Sequence, residues 1–225
     1  MKLGKYHVEI DEVTYNRQEL EELYNQHKHN IMNFGDYMQY LTPSKREFKG
    51  RPGMNAVAVQ KTEGKDLLEY PVVKKYVDMF NWKQYPGPRD VDFLHYDVGY
   101  KFHPHTDHYM NMAIMFPVLP IKDITPISFF SREGHEPERD VNYEKKHGWT
   151  DDDIDYLHYY SMEHPTAFNG LAVHGVPTIT QERVILRVKC LGETFESVVD
   201  KLKEGTFVKD EFRSNWSYTL HRQTF

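Results

Sequence analysis

Phe102-His103-Pro104-His105-Thr106-Asp107-His108 is the segment of this 225-residue chain best equipped for chemistry. On an extended strand, alternate residues project to the same face, so His105 and Asp107 can reach one point in space. An imidazole and a carboxylate at that spacing supply two corners of a metal site. A third ligand must come from elsewhere. His174, in Val173-His174-Gly175-Val176, is the best candidate because it ends an apolar, strand-like run. Two imidazoles and one carboxylate on one face of an octahedral ion leave three positions open for reactants, the arrangement suited to iron(II). Nine residues beyond His174, Arg183 opens the run Arg183-Val184-Ile185-Leu186-Arg187. A buried guanidinium beside a metal offers a planar fork for a dicarboxylate cosubstrate. The plainer alternative is a strand-edge arginine paired with Glu182 or Asp123. Arg187 lies on the same strand face and is the second choice of carboxylate binder.

Elements that could hold these residues can be read on either side of them. Residues 91–97, 111–119, 124–130, 166–174 and 183–191 are short strand-like runs bounded by Gly, Pro or Asp. Before them the pattern is helical. Asn16 can cap a helix that Glu19 answers three residues later, with Leu20, Leu23, Tyr24, His27 and Ile31 on one face. A second helix is expected from Pro71, with Val72, Val73, Tyr76, Val77 and Phe80 at helical spacing. Residues 43–53 read as a basic connecting loop and 131–149 as a polar excursion between strands. Thr150 and the three aspartates after it suit the start of a short helix. Phe195, Val198, Val199 and Leu202 form a further apolar stripe stopped by Gly205, and the aromatic tail is expected to pack back on the body. The fold class expected is mainly β with flanking helices, as a sandwich or barrel. One domain spans 1–225: mainly helical support and loop over 1–89, a β core over 90–191, and a C-terminal helix and tail over 192–225.

Composition narrows the field. The chain has 28 Lys+Arg and 34 Asp+Glu, a formal net charge of −6, with thirteen histidines and one cysteine. A single cysteine, Cys190, excludes a disulfide framework and thiolate metal modules, and reads as buried packing. No apolar run approaches the ~20 residues of a membrane span, and the N-terminus lacks a signal-peptide core. Net acidity without a basic cluster argues against general nucleic-acid binding. A soluble, cytoplasmic protein is expected. His7, His27, His29, His135, His147, His158, His164 and His221 have no setting like that of His105, and are expected on surfaces or in helix packing.

Tyr96-Asp97-Val98-Gly99-Tyr100-Lys101-Phe102-His103-Pro104-His105-Thr106-Asp107 resembles the signature of prolyl-4-hydroxylase-type enzymes, a branch of the Fe(II)- and 2-oxoglutarate-dependent dioxygenases. His174-Gly175-Val176-Pro177 followed by Arg183 is similar to their distal motif, and the resemblance covers about half of the chain. It implies a double-stranded β-helix, or jelly roll, supported by N-terminal helices. It implies His105, Asp107 and His174 as iron ligands, Arg183 on the far carboxylate of 2-oxoglutarate, and Tyr96 donating to the same group. The activity implied is a hydroxylase that consumes 2-oxoglutarate and O2, releases succinate and CO2, and draws on ascorbate. Its substrate would be peptidyl proline, a free amino acid or another small metabolite, with neither nucleic acid nor membrane as partner.

Two departures from the prolyl pattern stand out. Arg183 replaces the lysine of the collagen-type enzymes, and Thr125-Pro126-Ile127-Ser128-Phe129-Phe130 replaces their glycine-rich strand. Asp107 argues against halogenation, which needs that carboxylate removed. His103 and His105 share parity as in a cupin, but Tyr109, Met110, Asn111 and Met112 follow where a glutamate is wanted. The alternatives are a zinc-dependent hydrolase, which would not need Arg183, and a non-catalytic metal-binding jelly-roll protein.

Overall fold

The computed structural model describes residues 6–33, 54–57, 66–107, 110–131 and 155–213. Three α-helices lie among them: α1 (Arg17–His27), α2 (Pro71–Val77) and α3 (Phe195–Lys203). The strands are β1 (His7–Glu9), β2 (Ile31–Asn33), β3 (Met54–Val57), β4 (Val91–Tyr96), β5 (Phe102–His105), β6 (Met112–Leu119), β7 (Ile127–Ser131), β8 (Asp155–Tyr160), β9 (Thr166–Asn169), β10 (His174–Val176) and β11 (Arg183–Lys189). They form a seven-stranded sheet, ordered β1-β9-β6-β11-β4-β3-β2, and a four-stranded sheet, ordered β5-β10-β7-β8. The pairings are antiparallel.

Strand alternation divides the apolar residues into two cores. On β11, Val184, Leu186 and Val188 face outward with Phe93 of β4 and Ile114, Phe116 and Val118 of β6. Against that face pack Leu20, Leu23 and Tyr24 of α1, Val73, Tyr76 and Val77 of α2, and Phe195, Val198 and Val199 of α3. The opposite face carries Leu94, Ala113, Met115, Phe168 and Ile185, which meet Phe102, Ile127, Phe129 and Val176 of the small sheet. Each large side chain fully buried contributes about 1.5–3 kcal/mol of transfer free energy. Because the large sheet is covered on both faces, β6 is buried along nearly its whole length and shows no alternation in its sequence.

Helix signals read from the sequence hold at the termini. The Asn16 side chain accepts from Gln18 N at 3.0 Å, and Pro71 occupies the first turn of α2; the Thr194 cap of α3, which accepts from Ser197 N, is not among those signals. Glu19 is used otherwise than in a simple capping box: its carboxylate accepts from Tyr76 at 2.9 Å and from Lys75 at 3.0 Å, tying α1 to α2. Gly205 stops α3 with a φ of 67°.

Several expectations are corrected. Ile31 belongs to β2 rather than to α1. Within residues 1–89, expected to be mainly helix and loop, β1, β2 and β3 extend both edges of the large sheet. These strands span three or four residues, too few to show a period of two. The run 166–174 is two strands in different sheets, because Asn169 and Gly170 turn the chain: Leu171 N donates to Asn169 Oδ1 at 3.0 Å and Ala172 N to Asn169 O at 3.3 Å. Asp155 opens β8, in keeping with the tyrosine-rich Asp-Tyr-Leu-His-Tyr-Tyr. His7 is buried rather than superficial, stacked on Tyr160 with ring centroids 3.8 Å apart. The loop at 43–53, the excursion at 132–149, the Thr150 cap, His135, His147, His221 and the tail from 214 lie outside the described residues. Among the described residues no helix is long and apolar enough to cross a membrane.

Candidate metal centre

His105, Asp107 and His174 meet at one end of the small sheet. Their ligand atoms all lie within 4.8 Å of one another. His105 Nε2 is 3.7 Å from Asp107 Oδ1, and His174 Nε2 is 3.8 Å from Asp107 Oδ2. The two imidazoles are cross-strand neighbours, with His105 of β5 paired to His174 of β10 and ring centroids 4.4 Å apart.

Asp107 reaches this point by a different route from the one its spacing suggested. Strand β5 ends at His105, so Asp107 sits in the turn beyond it rather than one step along the same strand. Its backbone N donates to Gly170 O at 2.7 Å, and its carbonyl accepts from Met110 N at 3.2 Å. Those contacts aim the carboxylate back toward the imidazoles. His174 likewise opens β10 rather than closing the run before it.

The donor set fits a divalent cation. His174 Nδ1 lies 2.8 Å from Ala172 O, and a carbonyl can only accept, so Nδ1 carries the proton and Nε2 presents its lone pair. Two imidazole nitrogens and one carboxylate, with no thiolate, suit iron(II). Phe102 packs 4.4 Å from His105 and Phe168 edge-on 4.8 Å from His174, centroid to centroid, walling the ligands with apolar rings.

Arg183 and Tyr96 are brought together beside this centre. They are register partners on β11 and β4, and the guanidinium carbon lies 5.9 Å from the Tyr96 ring. Tyr96 in turn contacts Phe102, 5.9 Å between centroids, which contacts His105. Burial pushes the Tyr96 hydroxyl up to about 12, with the nearby Arg183 and Arg187 charges opposing and Asp107 adding to the rise. It is therefore a neutral donor at physiological pH.

Arg183 is 3 % exposed, and burial pulls its ionisation down, with Tyr96 opposing. It donates to Thr125 O at 3.2 Å. Among the described residues no carboxylate pairs with it; Glu182 turns instead to His95, 3.1 Å away. Burying a guanidinium without an anionic partner is costly, and an anion arriving beside it would remove that cost. Arg187, the second choice, is already taken by the fully buried Asp92, to which it donates twice, at 2.9 and 2.7 Å.

Contributors not anticipated from sequence are Ala172 and Thr125, which act through backbone carbonyls, and Gly170 and Gly175, which permit close approach. A Cβ on Gly175 would come within 2.7 Å of Phe102 O, and one on Gly170 within 2.3 Å of Met110 O. The glycine directly after His174 was the one visible sign of the first. Cys190 is buried as expected, and burial raises its thiol well above the usual range.

No protein-family model matches the chain, and comparison with curated proteins finds no match. Among solved structures the chain is similar to that described as the non-heme alpha ketoglutarate dependent epimerase SnoN from nogalamycin biosynthesis. The identity is 12%, covering 76% of this chain and 80% of that one, with a TM-score of 0.35. So loose an overlap carries no argument about either fold or chemistry.

Proposed function

We propose that this protein is a non-haem Fe(II)- and 2-oxoglutarate-dependent oxygenase of the prolyl-4-hydroxylase-like branch. It would hydroxylate a C–H bond of a small-molecule or peptide substrate and release succinate and CO2. The observation that carries this reading is the convergence of His105, Asp107 and His174 beside the buried Arg183, which has no carboxylate partner among the described residues. The strand order supports a double-stranded β-helix. Of the eight consecutive strands from β4 to β11, four (β4, β6, β9 and β11) adjoin in the large sheet, and the other four make up the small one.

His105, Asp107 and His174 would hold the iron, which when bound supplies the oxygen-activating redox chemistry that side chains lack. The chain's own work is binding and exclusion. Arg183 offers a fixed fork to the far carboxylate of 2-oxoglutarate, a charged contact worth about 1.5–3 kcal/mol. The protonated Tyr96 hydroxyl would donate to the same group. Phe102 and Phe168 would shield the imidazoles they pack against. A zinc hydrolase would leave the buried Arg183 without a role.

The test is succinate release from 2-oxoglutarate by the iron-loaded chain exposed to oxygen, across a panel of amino acids, peptides and small metabolites. Turnover that depends on both iron and 2-oxoglutarate is the expected result. Silence across the panel, with no uncoupled succinate either, would sink the assignment.

A further inference from the structure

Between β9 and β10 the chain leaves the large sheet and enters the small one through a tight turn at residues 169–172. Asn169 is the last residue of β9, and His174 is the first of β10. The Asn169 carboxamide oxygen accepts from Leu171 N at 3.0 Å, and its main-chain oxygen accepts from Ala172 N at 3.3 Å. An amide N–H needs an acceptor, so the oxygen rather than the nitrogen of the carboxamide faces Leu171. Asparagine closes turns in this way through its own side chain. Both flanks are held by backbone bonds. Asn169 N donates to Tyr6 O at 3.0 Å, Gly170 N to Asn111 O at 3.2 Å, and Phe130 N to Val173 O at 3.0 Å.

Two carbonyls of this turn serve the candidate metal centre. Gly170 O accepts from the backbone N of Asp107 at 2.7 Å, and Ala172 O accepts from His174 Nδ1 at 2.8 Å. Gly170 also lies tight against the first of these ligands, since a Cβ on it would stand 3.2 Å from Asp107 Cβ. One turn thus carries the partners of two of the three candidate ligands, while His105 is placed by strand pairing with His174. How the turn is closed sets where those two carbonyls stand. Without the carboxamide oxygen, Leu171 N loses its acceptor and the peptide planes from Gly170 to Ala172 can rotate. Rotation of either plane carries Gly170 O or Ala172 O away from its ligand.

We propose that Asn169 is a positioning residue for the metal centre. Its carboxamide oxygen closes the turn that holds the Asp107 backbone and the His174 imidazole in place relative to each other. This rests on the function proposed above, which requires a metal at His105, Asp107 and His174. Asn169 acts through Gly170 and Ala172, so its loss disturbs two ligands together.

The experiment compares the full wild-type chain with Asn169→Ala and Asn169→Ser. Serine offers a hydroxyl that closes the same kind of turn more weakly, and it adds no charge beside the ion. In the metal-free protein at about pH 8, above the ordinary imidazole range, nitrogen NMR reports which ring nitrogen of His174 carries the proton. Iron(II) affinity is then measured anaerobically by competition with a chelator. For Asn169→Ala the expected result is a mixed His174 tautomer, faster amide exchange at Asp107, and iron(II) bound roughly 10–100-fold more weakly. Asn169→Ser should recover part of each. Should Asn169→Ala fail to fold by thermal melting, the serine variant carries the same comparison with smaller effects. A folded variant of lower melting temperature that keeps the wild-type His174 tautomer and iron affinity overturns the positioning role and leaves the metal site standing. Failure of the wild type to bind iron(II) overturns the proposed function, and this inference with it.

Discussion

His174 Nδ1 and the carbonyl oxygen of Ala172 lie 2.8 Å apart, a contact made within two residues of one strand end. It orients the ring through the backbone alone, so the face proposed to hold the metal is organised by the chain itself. Replacing His105 or His174 by Ala should therefore abolish iron binding while leaving the fold in place. The loss should exceed the roughly 10–100-fold that removal of an outer partner costs. Iron content after dialysis, read with circular dichroism, checks this; stoichiometric iron retained by either variant would refute the ligand assignment.

Gly175 offers a test of spacing. A Cβ there would press on two backbone atoms, Phe102 O at 2.7 Å and Pro104 N at 3.2 Å, neither of which can rotate away. Gly175→Ala should push β10 from β5 and draw His174 away from His105. The expected cost is about 1–3 kcal/mol of stability, as for overpacking elsewhere, together with weaker iron binding. Urea melts and iron titration measure the two effects separately.

The two arginines of β11 should fail in different ways. Arg183→Ala removes a cation with no anionic partner among the described residues, so the apparent requirement for 2-oxoglutarate should rise about tenfold or more while iron remains bound. Arg187→Ala removes the guanidinium that donates twice to the fully buried Asp92 and leaves it the more distant charge of Lys189, 3.4 Å away. Breaking a buried pair costs about 3–5 kcal/mol, and the remaining lysine should hold the loss toward the lower figure. Stability, rather than the 2-oxoglutarate requirement, is the quantity that should move.

Glu193 gives stability a dependence on pH. Burial alone would raise its carboxyl, but Lys201, Ser197 and the Lys83 backbone N–H outweigh that and hold it below the usual range. A depressed folded value contributes stability above the unfolded value and loses it as pH falls through the folded one. Glu193→Gln should be less stable than wild type by about 1–3 kcal/mol at neutral pH. That difference should close as acid protonates the wild-type carboxyl. Denaturant melts at several acidic pH values would show it, and a constant difference would refute it.

How much of this could be read beforehand depended on what each element had to do. His105, Asp107, His174, Arg183 and Tyr96 come together because all five lie at strand ends or in the turns between strands, where residue type and order are informative. The path of Asp107 was less visible, since a turn closed by Gly170 O leaves no periodic trace. β1, β2 and β3 were missed because three or four residues cannot display alternation, and α1 ended before Ile31 although the apolar spacing ran on. Arg183 and Arg187 look alike in sequence. What separates them is register, which sets Tyr96 against one and Asp92 against the other.

His105, proposed as a metal ligand, and Arg183, proposed as the carboxylate anchor, sit on strands of unequal standing. β11 is enclosed by β6 and β4 in the middle of the large sheet, whereas β5 borders the small sheet with β10 as its single neighbour among the described residues and carries a proline, Pro104, that has no amide to give. Local opening should accordingly begin at the border. A chain stripped of iron would exchange amide hydrogens quickly along β5 and slowly along β11, so the anchor persists as a template on which the ligand strand can settle again once metal returns.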